Sequence, residues 1–249
     1  MYNNFYKLRK KPFENTPDPE FLYLSQNHRE ILASLLYGVH EGKGFISIVG
    51  DVGTGKTTLI KSFIDKVNES FIVFHIVNSK ANFEEILLYI AHKLDIDTEE
   101  KTLFELTEIL RISLEELDDN NMHVVLVFDE AHHLSDDSLE DIRLLSNLET
   151  KKKKLIQIVF VGQNELHQTL QKTTQRHLKQ RIVLNRVLEP LNKEETFHYI
   201  QHRLNVSGSK SNPFKKKALV KIWKESNGIP RIINHICDNA LLIGFAIQS

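Results

Sequence analysis

The stretch Gly50-Asp51-Val52-Gly53-Thr54-Gly55-Lys56-Thr57-Thr58 (GDVGTGKTT, residues 50–58) follows the apolar run Phe45–Val49 and leads into the amphipathic LIKSF (59–63). Three glycines and a lysine within residues 50–56 suit neither a helix nor a strand. They suit a turn that points successive backbone N–H groups inward as an anion nest, with no Cβ in the way. The residues satisfy G-x-x-x-x-G-K-[ST] without a mismatch, between an expected buried strand and an expected helix, which is the context the motif requires. A helix opening near Gly55 adds free N–H groups and its positive dipole end. In such a loop Lys56 reaches the β- and γ-phosphates of a nucleotide, and Thr57 offers its hydroxyl to Mg²⁺. The rival reading is a glycine-rich turn with a surface lysine. The expected ligands are ATP or ADP with Mg²⁺.

Outward from this loop, five runs rich in β-branched residues and phenylalanine predict strands: Phe45–Val49, Ile72–Val77, Val124–Phe128, Ile156–Val161 and Ile182–Leu188. The first, third and fourth are continuously apolar, as strands buried on both faces of a parallel sheet are. Between them, Phe83, Ile86, Leu87, Ile90 and Leu94 fall on one helical face, as do Leu103, Leu106, Leu110 and Leu117. Ser135 before DDSLEDIRLLSNL (136–148) supplies an N-cap and an acidic first turn. Strands alternating with helices predict a doubly wound α/β domain with a five-stranded parallel core. After Leu188 the strand signal ends. Asn192 and Glu195 make a capping-box pair, SGSKSNP (207–213) reads as a loop, and two further helices follow. The expected division is residues 1–189 as an opening segment plus nucleotide-binding α/β core, and 190–249 as a small helical lid hinged at Glu189–Leu191.

The 249 residues are 41% hydrophobic and 26% charged, with apolar mass enough for a sizeable core. A formal net charge of −1 supplies no global basic field for nucleic acid. Charge is nonetheless uneven: residues 7–11, 151–154 and 215–217 are basic, and 95–119 is rich in Asp and Glu. The lone Cys237 excludes an internal disulfide framework and fits a reducing compartment. Neither a leader pattern nor an apolar run near eighteen residues is visible. A cytoplasmic chain with no membrane insertion of its own is therefore expected. Twelve histidines beside one cysteine show no zinc spacing.

Hydrolysis needs a metal carboxylate and a group to orient water. VVLVFDEAHHLS (124–135) offers both at one strand end. Asp129 should emerge at the carboxyl edge of the sheet, where Mg²⁺ sits, and the adjacent Glu130 can polarise the attacking water. DEAH (129–132) is not read as a helicase motif, because the chain has no room for two tandem nucleotide-binding folds. His132 and His133 are read as loop residues. Gln163, at the tip of the next apolar strand, either touches the γ-phosphate or lytic water or simply starts a helix. Arg176 and Arg181 precede the last strand. In an oligomer, either can neutralise charge on a neighbour's γ-phosphate; a solvated helix face is the alternative for each. NGIPRIINH (227–235) breaks a helix at Gly228 and Pro230 and launches Arg231 from the next first turn. A cation is disfavoured there, unless it folds over the nucleotide.

Phosphate loop, Asp-Glu pair, polar strand tip, arginine before the fifth strand and G-x-P-R in a helical lid follow the order of the AAA+ ATPases. The opening FYKLRKKPFENTPDPEFLYLSQNHREILASLLYGVHEGKGF (5–45) narrows the match, with its Phe5…Pro12-Phe13 and its Pro17-Asp18-Pro19 turn. GDVGTGKTT, DEAHHLS, VGQNEL, LKQRI and NGIPRIINHICDNALL complete a resemblance to the ExeA/GspA type of AAA+ ATPase of general (type II) secretion and related envelope-assembly systems. The resemblance spans nearly the whole chain. It implies a P-loop AAA+ fold with a lid, ATP hydrolysis, an ATP-dependent oligomer of the chain with itself, and an envelope or secretion-system protein as partner. It also implies Lys56 and Thr57 on phosphates and Mg²⁺, Asp129 on Mg²⁺ through water, and Glu130 as catalytic base. Gln163 would be sensor 1, Arg181 the favoured trans-acting finger with Arg176 second, and Arg231 sensor 2. Leu24–Arg29 resembles the segment that cradles adenine in related ATPases, with His28 and Arg29 as contacts. In the secretion members a membrane span and a periplasmic peptidoglycan-binding region follow the ATPase. The sequence stops at Ser249 short of both, as the cytoplasmic piece of a longer protein at the inner membrane or as a short relative.

Two other readings stand beside this one. A DNA-binding regulator of the transposition-target-selector type shares the fold and many motifs, and Lys151–Lys154 would contact phosphates there, although such a run also makes a solvated loop. A nucleotide-switched scaffold with little turnover is the other.

Overall fold

A computed structural model describes residues 2–15, 18–77, 81–149, 154–209 and 211–248. In chain order the elements are α1 (Tyr2–Phe5), α2 (Gln26–His40), β1 (Phe45–Gly50), α3 (Lys56–Lys66), β2 (Phe71–Ile76), α4 (Phe83–Lys93), α5 (Leu103–Asp119) and β3 (His123–Phe128). Then come α6 (Asp136–Leu145), β4 (Ile156–Gly162), α7 (Asn164–Gln171), α8 (Arg176–Arg181), β5 (Ile182–Leu188), α9 (Lys193–Val206), α10 (Lys216–Ser226) and α11 (Pro230–Ala246). The described chain forms two compact units.

One unit, Ile31–Gly50 with Phe63–Val187, is the sheet and its helices. Strand order is β2-β3-β4-β1-β5. β1 runs parallel to β4 from Phe45↔Ile158 to Val49↔Gly162, and β3 runs parallel to β4 from Val124↔Ile156 to Phe128↔Phe160. From β1 the chain crosses to the far edge, fills inward through β3 and β4, then passes β1 to β5. The reversal of strand order therefore falls at β1, the place where open parallel sheets bind ligands beyond their carboxyl ends. The first, third and fourth runs, apolar but for the buried Ser47 and Gln157, are the three inner strands, buried along nearly their whole length; β2 and β5 are edges and partly exposed. Phe45, Phe128 and Phe160 stack through the centre with ring centroids 5.8 and 5.7 Å apart. Burying each contributes about 2–3 kcal/mol.

Caps fix the helix starts. Asn82 with Glu85 and Thr102 with Glu105 make reciprocal capping boxes, and the Ser135 hydroxyl accepts from the Ser138 N–H. Each is worth roughly 1 kcal/mol.

The other unit is Met1–Glu30, Asp51–Ser62 and Leu188–Ser249. Its core buries Tyr2, Leu8 and Phe13 with Tyr199, Leu204, Ile233 and Cys237. The grouping differs from the 1–189 and 190–249 division expected from chain order, for a physical reason. Arg203 of α9, only 7% exposed, lies over the Phe21 ring and donates to the carbonyls of Pro12 (2.5 Å) and Glu14 (2.9 Å). A buried guanidinium needs such acceptors, and the opening segment supplies them. Asp18 accepts from Glu20 N–H in the turn that the sequence signals, while Pro17 lies outside the described residues. α9 starts with the Asn192–Glu195 capping box. Between α10 and α11, Gly228 (φ +74°) accepts the Leu191 N–H on its carbonyl (2.9 Å), and a Cβ there would lie 1.9 Å from Leu191 O. Only glycine fits. Burial pushes the Cys237 thiol pKa up, so it stays protonated. Among the described residues no helix is long and apolar enough to cross a membrane.

Candidate functional site

In the unit that holds residues 188–249, the loop folds round one acceptor. The Asp51 carbonyl takes the Thr54 N–H (3.3 Å), the Thr54 hydroxyl (2.8 Å) and the Lys56 ammonium (2.9 Å). Lys56 is 6% exposed, so its charge is largely desolvated and a phosphate oxygen would be a stronger acceptor than the carbonyl. Thr57 and Thr58 follow it in the first turn of α3, among the free N–H groups of the helix start. Gly53 (φ +82°) carries the close approach of the α11 start: the Arg231 N–H donates to Gly53 O at 3.2 Å. A Cβ on Gly53 would lie 2.7 Å from the Arg231 Cβ. Arg231 itself is exposed, in the first turn of α11.

His28 sits beneath the same loop. Its Nδ1 is 2.7 Å from the hydroxyl of Ser25, which also accepts the His28 backbone N–H (3.3 Å) as an N-cap serine does. The ring hydrogen-bonds the Thr54 backbone, and its Nε2 lies 3.4 Å from the point a Gly55 Cβ would occupy. Burial lowers the imidazole pKa against the opposing pull of the Thr54 backbone and Glu195, leaving the ring neutral. Arg29 is exposed and donates to Leu24 O at 2.7 Å. Of the two adenine contacts that the resemblance implies, one supports the loop backbone and the other lies on the surface.

In the sheet unit, Asp129 and Glu130 leave the carboxyl end of β3. The Asp129 N–H continues the ladder to Ile76 O (2.9 Å), and its carboxylate is 2% exposed. Asp129 Oδ1 accepts the Glu130 N–H (3.0 Å); Oδ2 lies 3.4 Å from His75 Nε2, within ion-pair range but without hydrogen-bond alignment. Glu130 is a non-glycine residue in the left-handed region (φ 54°, ψ 35°), a strain of about 1–3 kcal/mol of the kind found at working sites. That turn sends its side chain outward, 41% exposed, beside the buried Asp129. Two adjacent carboxylates thus occupy two environments.

Gln163 takes the N-cap position of α7 but makes no side-chain cap bond. Its amide instead reaches His132 Nε2 (2.9 Å) and Glu130 Oε2 (3.5 Å). It starts a helix by position and meets the carboxylate by side chain. Arg181 closes α8 with its guanidinium on Asn147 Oδ1 (2.7 Å), Ser146 Oγ (2.9 Å) and Arg143 O (3.4 Å), at the C-terminal end of α6, where a cation is favoured. Arg176 is exposed at the start of α8. Lys151, Lys152 and Lys153 lie outside the described residues; Lys154 packs over the Phe45 ring, and burial lowers its ammonium pKa.

Sequence reasoning missed Ser25, His75 and His132. The capping pattern before α2 signalled the serine. His75 is the penultimate residue of β2, next to the strand's carboxyl end, while nothing local separates His132 from an ordinary loop histidine. Among the described residues no group of three or more His, Cys, Asp or Glu is placed to hold a metal ion.

A family model described as AAA domain matches residues 39–170. The chain is 41% identical over 250 residues, 99% of its length, to general secretion pathway protein A of Aeromonas hydrophila, and spans 45% of that protein. Its fold is similar to the ORC2 protein of Aeropyrum pernix, solved as ADPNP–ADP complexes, at 18% identity and a TM-score of 0.69 over 96% of this chain and 68% of that one. It is also similar to the ORC1 protein of that organism, solved in complex with DNA, at 14% identity and a TM-score of 0.66 over 98% and 65%.

Proposed function

We propose a function from one premise, that this chain belongs to the AAA-domain family: it binds ATP with Mg²⁺ and hydrolyses it as an oligomer. One observation carries the reading. A buried aspartate and a strained, outward-facing glutamate stand together at the carboxyl end of β3, one strand removed from β1, whose chain runs on into the G-x-x-x-x-G-K-T loop. Lys56 and the loop N–H groups bind the β- and γ-phosphates. The Thr57 hydroxyl and Asp129 carboxylate are hard oxygen donors of the type Mg²⁺ takes, and this reading assigns both to it. When bound, the ion neutralises charge on the transferring phosphoryl group. Glu130 accepts the proton of the attacking water, and Gln163 orients that water or the γ-phosphate. Arg231 senses the phosphates from the lid (190–249), His28 and Arg29 flank the base, and Arg181, or Arg176 in its place, acts on a neighbouring subunit's nucleotide.

The likeness to general secretion pathway protein A supports a cytoplasmic role in assembling or remodelling an envelope secretion machine, with a protein of that machine as partner. Glu130→Gln should leave ATP affinity in a fluorescence titration unchanged and lower steady-state turnover by about 10²-fold or more, since the amide keeps the shape but cannot take the proton. Turnover at the parent rate would remove Glu130 as the base.

A second reading, duplex DNA binding, is favoured by charge. The lid-bearing unit holds sixteen Lys and Arg against ten Asp and Glu. Affinity for a duplex falling steeply with salt, with a log–log slope of several, would support it; a flat response would dismiss it.

A further inference from the structure

His132 has no part in the steps above, yet it joins the two residues that handle water. Its side chain is 8% exposed. Nε2 lies 2.9 Å from the Gln163 side-chain nitrogen. Nδ1 lies 3.4 Å from Glu130 Oε2 and 3.4 Å from the Gln163 backbone nitrogen, whose N–H it accepts only when it carries no proton of its own. The left-handed turn at Glu130 brings residues 130 and 132 to face Gln163 together, although 31 positions separate His132 from Gln163. We propose that His132 is a positioning residue that ties the Glu130 carboxylate to the Gln163 amide, so that one imidazole sets both.

A neutral imidazole donates from one nitrogen and accepts at the other. With its proton on Nδ1, the ring donates toward Glu130, and Nε2 accepts from the Gln163 amide NH₂. With the proton on Nε2, Nδ1 is left to the Gln163 backbone N–H. The ring then donates to the Gln163 amide oxygen once the amide has turned over, and Glu130 faces a lone pair instead of a donor. The first arrangement restrains the carboxylate; the second frees it to accept from water. The two differ by one ring proton, exchanged through solvent, and by the direction of one amide. A nucleotide that draws on the Gln163 amide therefore also changes what holds Glu130.

The inference rests on Glu130 being the base, and the test separates the two. Steady-state hydrolysis is measured on the 249-residue chain, its Glu130→Gln, His132→Ala and Gln163→Ala variants, and the His132→Ala/Gln163→Ala double variant. His132→Ala should lower kcat roughly 10–100-fold, the usual loss on removing a partner that orients a reactive ligand. KM should stay within about twofold. The double variant should be no slower than the slower single, because both act through one contact. A parent kcat in His132→Ala, or a double loss equal to the product of the singles, overturns the proposal. If His132→Ala does not fold, His132→Gln replaces it: the shorter amide can meet one neighbour but not both, and a parent kcat again overturns the proposal. Imidazole ¹⁵N spectra of the unsubstituted chain, with the His132 signal identified by its loss in His132→Gln, should show the ring proton redistributing when a non-hydrolysable ATP analogue and Mg²⁺ are added. An unchanged tautomer counts against the tie even if hydrolysis proves undetectable. Full turnover in Glu130→Gln instead removes the base assignment.

Discussion

At the Gly50–Thr58 loop, the contacts that set the shape run through backbone: the Asp51 carbonyl gathers Thr54 and Lys56, and Gly53 meets the Arg231 N–H. At the end of β3 they run through side chains from separate elements: His75 from β2, the Glu130 and His132 turn, and Gln163 at the start of α7. The first kind of site depends on where small residues fall along a few positions of chain, because backbone groups are present in every sequence. The second depends on which side chains the sheet register delivers. A backbone-built site should therefore fail through its glycines and its one charge, a side-chain-built site through its individual polar groups.

The largest expected effect lies on the loop. Lys56→Ala should abolish measurable ATP binding, because it removes the compact charge that opposes the β- and γ-phosphates. Unchanged affinity in a titration would take the loop out of the site.

Next is Arg181, whose side chain caps α6 within its own unit. If it also serves as the trans-acting finger, Arg181→Ala should bind ATP normally and lose on the order of 10³-fold in hydrolysis. Mixing it with Lys56→Ala should restore part of the activity, and specific activity should rise with protein concentration. Flat activity with no rescue would leave the helix cap as its whole role, and the same mixing experiment would then pass to Arg176.

Gly53→Ala sharpens the contrast by probing backbone alone. The left-handed φ and the 2.7 Å approach to the Arg231 Cβ should cost about 2 kcal/mol in denaturant unfolding. A neutral substitution would show that the loop and the α11 start do not need their close contact.

The smallest effect concerns His28. Its folded pKa is lowered by burial, so between the unfolded value near 6.5 and the lower folded value the unfolded chain binds more protons. Stability should thus be fully present above that window and fall as pH drops through it. His28→Gln should reduce the difference in unfolding free energy between about pH 7.5 and pH 5.5 relative to the parent. An identical pH dependence in both would show that the buried imidazole does not carry it.

The amino-acid sequence by itself determined the five strands, each to within a residue or so, because runs of five to seven residues rich in β-branched and aromatic side chains and bounded by loop residues are too short for helices and suit a pleated, packed surface. It also determined the phosphate loop, the caps at Asn192 and Ser135, and the helix break before Arg231, since each is local geometry written over a few consecutive positions. Tertiary structure alone decided which segments pack together. The opening segment joins α9 through Arg203, whose acceptor Pro12 is 191 positions away. It alone set His28 under the loop backbone, gave Arg181 to the end of α6, and brought His132 between Glu130 and Gln163. The His132 contacts follow from strand order, which sets the ends of β3 and β4 side by side, and the Arg203 and His28 contacts from the packing of the opening segment with helices and loop; no spacing along the chain encodes either.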